Sequence, residues 1–158
     1  MSDPETGETA EQRLHRNFAE LLQELRVAQT GVQILFAFLL TLPFSARFSA
    51  LSGLQHWLYI AALVAAAVAA ATIIAPVSFH RLVFRQGLKE EVVQVSSRLA
   101  QIGIFALMLA IIGAILLVVD VVAGLTWAVW LSSILGVLYL GLWYVLPAMH
   151  RFRKVLDD

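Results

Sequence analysis

Between residues 99 and 122 the chain carries a single charged residue, Asp120. A helix of that length, at ~1.5 Å per residue, crosses a hydrocarbon core of ~30 Å. Composition agrees: 60% of residues are hydrophobic, 14% are charged and the mean hydropathy is +0.82, all outside the range of globular domains. Four spans are predicted, at about 27–43, 56–76, 99–121 and 126–147. The expected fold is an all-α integral membrane protein, a four-transmembrane-helix bundle over residues 27–148. Residues 1–9 are expected to form a disordered acidic tail, residues 10–26 an amphipathic cytosolic helix and residues 149–158 a charged cytosolic tail.

Residues 25–36, LRVAQTGVQILF, pass from charged to apolar without a break signal. Leu14, Phe18, Leu21, Leu25, Ala28, Val32, Leu35 and Leu39 recur at alternating spacings of four and three, a heptad seam. One helix over residues 10–42 is therefore predicted, with the seam available to join copies into a homo-oligomer. On another face Gln23, Arg26, Thr30, Gln33 and Thr41 form a polar line, and Arg13, Asn17, Glu20 and Glu24 a charged one.

The remaining spans carry the marks of close packing. Ala61, Ala65 and Ala69, and Ala62, Ala66 and Ala70, repeat every four residues in the second; Ser96, Ala100, Gly103, Ala106, Ala110 and Gly113 share a face of the third. Such small-residue stripes let helix backbones approach where lipid supplies no hydrophobic drive. Pro76 and Pro147 are predicted to close spans two and four, Gly87 to stop the helix after Pro76, and Gly124 to turn the chain tightly. Ten of the eleven basic residues fall in the N-terminal region, the middle connection and the tail, against Arg47 alone in the opposite connections. The positive-inside rule then places both termini in the cytosol and the protein in the plasma membrane.

Arg26, Ala28, Gln29 and Gly31 recur as Arg98, Ala100, Gln101 and Gly103, and Pro76-x-x-x-His80-Arg81 is echoed near Pro147 and His150-Arg151. Either common interfacial residues coincide, or the chain holds two duplicated helical hairpins related by a pseudo-twofold axis along the membrane normal. In the second case the two Arg-Ala-Gln-Gly stretches are equivalent collars.

Candidate chemistry is sparse. Asp120 is the one acid in the last three spans; it is either an intramembrane functional carboxylate or an interfacial group that caps the turn or pairs with Arg47. Gln29, Thr30 and Gln33 either line a wet path or hydrogen-bond between helices. Glu20 and Glu24 either gather cations at a pore mouth or are solvated. The four histidines show no metal-ligand spacing, although His80 and His150, if a twofold brings them together, would make a pH-sensitive pair. There is no cysteine, which removes thiolate chemistry. The acidic N-terminus is unlike a signal peptide, no basic aromatic patch suits nucleic acid, and no P-loop, dinucleotide fingerprint or catalytic motif occurs. Neither enzymatic activity nor a cofactor or metal is expected.

The runs NFAELLQELRVAQTGVQILFAFLLTLPF, IAPVSFHRLVFRQGLKEEVV and SRLAQIGI resemble a family of small actinobacterial four-span membrane proteins of unknown function, sometimes labelled sodium:proton antiporter. The resemblance covers nearly all the chain after the first ten residues and implies the four-span architecture and a transport role, with no catalytic residues to carry over. Two readings follow: cation or proton transport by a homo-oligomer in the bilayer, with protons or sodium ions as the cargo, or a non-catalytic scaffold or accessory subunit that assembles through its N-terminal helix.

Overall fold

The computed structural model describes residues 10–83 and 89–149. The predicted tails at residues 1–9 and 150–158 and the stop at Gly87 lie outside them. The chain forms α1 (Ala10–Thr41), α2 (Gly53–Val83), α3 (Lys89–Ala123) and α4 (Leu125–Leu140), with two 3₁₀ turns, Leu42–Phe44 and Phe48–Ala50, between α1 and α2. No strand occurs among the described residues. All four helices belong to stretches long and apolar enough to cross a membrane: Ala19–Phe44, Gly53–Ser78, Gln94–Ala123 and Leu125–Met149.

α2 and α3 form the central pair. The buried face of α3 is the small-residue stripe Ser96, Ala100, Gly103, Ala106 and Ala110, and α2 meets it with Ala62, Ala66, Ala69 and Ile73. The α2 face takes members of both alanine series, because 3.6 residues per turn carries the contact from one series to the other along a long helix. At Gly103 an added Cβ would lie 2.6 Å from Ile73 Cγ1 and 2.8 Å from Thr72 Oγ1. Only a hydrogen fits there.

α1 lays its heptad seam on this pair. Leu25, Val32 and Leu39 are buried and Leu21, Ala28 and Leu35 pack beside them, Leu25 and Val32 with Ala69, Ile73 and Ala100, and Leu39 with Tyr59, Ala62 and Ala114. From Leu21 to Leu39 the seam is thus taken up within the chain. The reason is spacing: a heptad stripe suits any helical groove, and α2 with α3 offers one within the same chain.

α4 packs on α3 alone and comes near neither α1 nor α2 among the described residues. Only 6% of its apolar window is buried, against 39% for α3. The four helices therefore do not close a ring. A twofold relating α1–α2 to α3–α4 would require an α4–α1 contact matching the large α2–α3 one, and none occurs among the described residues. The two collars differ accordingly: Gly103 is clasped by α2, whereas Gly31 is exposed with open space around it.

Neither proline ends its helix. α2 runs through a buried Pro76 to Val83, because proline removes one N–H donor and crowds one carbonyl while leaving later residues free to continue. Before Pro147 the helix widens into a π turn at Gly141–Val145, with the Leu146 N–H reaching Gly141 O, and helical backbone continues to Met149. The π turn presents Trp143 to the core cluster at the terminal end. At the other end α3 passes to α4 through one residue, Gly124, whose φ of 89° lies in the left-handed region that glycine enters without strain.

Gly103→Leu is expected to destabilise the fold by about 1–3 kcal/mol, as overpacking does. Gly31→Leu, in open space, is expected to stay near neutral. Thermal unfolding of the two variants in detergent measures the difference.

Candidate functional site

The α1–α2 connection gathers polar side chains at one end of the chain. Ser52 starts α2 with a reciprocal cap: the Gln55 N–H donates to Ser52 Oγ at 3.3 Å, and the Ser52 N–H donates to Gln55 Oε1 at 2.9 Å. This Ser-x-x-Gln capping box satisfies two backbone donors that a helix start leaves open. With Oε1 engaged, the Gln55 amide nitrogen points at α3 and donates to Asp120 Oδ2 at 2.9 Å, in a partly buried contact. His56 stands next to it, its Nδ1 3.0 Å from Ser52 O, which requires the proton on Nδ1. Phe48 packs edge-on against His56 and Tyr59, each at 5.1 Å between ring centres.

Asp120 is therefore held by Gln55, and of the alternatives open from the sequence the pairing with Arg47 does not occur. The aspartate's backbone carbonyl also accepts the Gly124 N–H at 3.0 Å, so the residue sits on the last turn of α3. Arg47 has no acidic partner among the described residues. It faces a cavity of about 350 Å³ formed by the end of α1, the connection and the end of α3.

The polar line of α1 lies elsewhere. Gln23, Arg26, Thr30, Gln33 and Thr41 are exposed, roughly opposite the buried seam, and Gln29 is half-buried between the two. The Thr30 hydroxyl donates to Arg26 O at 3.1 Å and that of Thr41 to Phe38 O at 2.7 Å, so both satisfy themselves within the helix. Gln29, Thr30 and Gln33 touch neither the cavity nor Asp120. Glu20 and Glu24 are exposed, and Glu20 lies 3.8 Å from Arg16, a surface pair worth little. Arg98 and Gln101 are exposed while Ala100 is buried. The His80 side chain and all of His150 lie outside the described residues. No three metal-ligating side chains converge among the described residues.

Sequence reading passes over Ser52 and Gln55, although the Ser-x-x-Gln spacing is a legible helix-start signal. The bond from Gln55 to Asp120 has no such signal, since it depends on how α2 sets against α3. Two further polar atoms, Ser96 Oγ and Ser132 Oγ, are buried without a hydrogen-bond partner. Ser96 lies on the α3 stripe, and Ser132 is one of two buried residues of α4.

These features describe an all-helical chain with four helices long and apolar enough to cross a membrane, a tight central helix pair and a polar cluster at the turn end. The sequence model of the family of unknown function DUF6328 matches residues 7–147, and the chain belongs to that family. No functionally curated protein and no solved structure matches it.

Ser52→Ala is expected to destabilise the chain by about 1 kcal/mol through loss of the cap. A double-mutant cycle of Gln55→Leu with Asp120→Leu is expected to return a coupling of about 1 kcal/mol, less than a fully buried charged hydrogen bond because the pair is partly exposed. Unfolding in detergent gives both values; a coupling of zero removes the bond's role in joining α2 to α3.

Proposed function

We propose that this protein is a multi-pass subunit of the plasma membrane, both termini cytosolic, that assembles with further copies of itself along the outward edge of α1. The exposure of Gln33 carries the reading. This residue lies about 10 Å along the helix from Arg26, at ~1.5 Å per residue, inside the apolar stretch Ala19–Phe44. Hydrocarbon cannot hydrogen-bond an amide, whereas a second copy can, since an amide both donates and accepts. The threonines beside it need no such help. Support for the orientation comes from the basic residues of the N-terminal region, middle connection and tail, which hold ten of the eleven.

The second reading is cation or proton transport along the joint between copies. It is favoured by the exposed Gln33 and Thr30 inside the apolar stretch Ala19–Phe44, a polar edge from which Glu20 and Glu24, also exposed, lie about 140–180° round the helix. Gln29 flanks that edge, and Asp120 would stand at the opposite end. The antiporter label carried by resembling proteins points the same way. Within one chain the tight α2–α3 contact supports no such path.

Because the chain has no cysteine, Gln33→Cys gives a single-site probe. It is expected to cross-link to a second copy in membranes, and Gln33→Leu to shift the protein toward a single-chain mass in detergent; absence of the cross-link together with a monomeric wild type defeats the assembly reading. In liposomes loaded with a pH-sensitive dye, the transport reading expects a sodium- or proton-dependent flux reduced by Gln33→Leu. No flux, or an unchanged one, removes transport and leaves assembly standing.

A further inference from the structure

The connection between α1 and α2 does more than reverse the chain. Its residues line, together with the ends of α1 and α3, an open cavity of about 350 Å³, within the ~300–1,000 Å³ range of small-ligand sites. Phe38, Leu42, Phe48, Leu51, Leu117 and Val121 supply most of its wall. The Phe48 wall is braced by the two edge-on contacts with His56 and Tyr59. On the α3 side Val118 is 41% and Val122 75% exposed, so the cavity opens sideways toward whatever surrounds the helices. Its polar lining is Ser45 and Arg47.

The order of these groups along the helix axis matters. The apolar wall from α1 and α3 lies within the membrane-length stretches Ala19–Phe44 and Gln94–Ala123, while Arg47 stands just beyond the first of them. The guanidinium also has no acidic partner among the described residues. A cavity that is apolar at membrane depth, open to the side and rimmed by a guanidinium with no acidic partner among the described residues matches an amphiphile with an anionic head. A zwitterionic lipid also offers a phosphate, but its own ammonium already balances that charge, so the charge of Arg47 stays uncompensated. A water-soluble anion would leave the apolar wall unfilled.

We propose that this cavity binds an anionic phospholipid of the surrounding bilayer, one acyl chain lying against Phe38, Leu42, Leu117 and Val121 and the phosphate on Arg47. Guanidinium suits the phosphate because its planar fork donates two parallel hydrogen bonds to one phosphate group. Ser45, at the same rim, adds a hydroxyl donor. The site is separate from the outward edge of α1 and does not depend on assembly.

The test uses the purified full chain in mild detergent, titrated with phosphatidylglycerol or with phosphatidylcholine of the same acyl chains, with bound lipid counted by native mass spectrometry. The wild type is expected to retain phosphatidylglycerol about fivefold better, the ratio equivalent to ~1 kcal/mol per basic residue at a membrane surface. Arg47→Gln, at an exposed position, is expected to bring the two lipids to parity with the fold intact by circular dichroism. Val118→Trp, which narrows the opening, is expected to lower retention of both. Glycerol phosphate, which has the head without the chain, is expected not to compete. Equal retention of the two lipids by the wild type, a preference unchanged in Arg47→Gln, or displacement by glycerol phosphate would each overturn the proposal.

Discussion

The contact between α2 and α3 at Gly103 is what the rest of the structure rests on. In hydrocarbon, apolar side chains gain nothing from leaving the solvent, so helices associate through close packing and through hydrogen bonds that lipid cannot offer. The absence of a side chain at Gly103 lets Ile73 and Thr72 come to within van der Waals distance of the α3 backbone. The alanines that extend this contact along both helices keep the approach close over most of their length. With the two backbones set in this way, the groove that receives Leu25, Val32 and Leu39 of α1 exists, and so does the juxtaposition of Gln55 with Asp120.

The polar groups are placed by a second rule, that a hydrogen-bonding group in or near lipid must find a partner. Most find one locally. Thr30, Thr41 and Thr72 return their hydroxyls to carbonyls of the preceding turn, and Ser52 and Gln55 cap the start of α2 between them. Gln55 then uses its remaining donor on Asp120, so one side chain closes a helix end and ties two helices. Besides the buried hydroxyls of Ser96 and Ser132, the groups without a partner among the described residues include the Gln33 amide on the outward edge of α1 and the Arg47 guanidinium over the cavity. The last two lie at different places on the chain, and each carries one of the two proposals made above.

The open arrangement of the helices follows from the same accounting. α4 meets α3 through a narrow line that includes Ala128 and Ser132, and otherwise shows apolar surface. In water such a helix would be a liability. In a bilayer, an apolar helix held on one side needs no further cover, and a one-residue link at Gly124 suffices to bring it back across.

Much of the architecture was legible because hydropathy and periodicity are local. Residues 99–122 have too few charges to be anything but a membrane-length helix, Leu25, Val32 and Leu39 fall on one face because helices turn every 3.6 residues, and Ser96 through Ala110 read as a packing stripe by size alone. What partner each face would meet was not legible. Gly31 and Gly103 sit in matching sequence and differ in everything around them, and Pro76, read as the end of a span, lies buried inside a helix that runs on to Val83. The seam of α1 reads equally well for another copy and for α2 with α3, and Asp120 gives no sign that its partner is Gln55. By itself the sequence determined which segments are helical, which faces are apolar and where basic residues cluster, since those depend on neighbours along the chain. Only the tertiary structure decided which faces meet and which polar groups are left over, because close contact between helices depends on atoms far apart in the sequence.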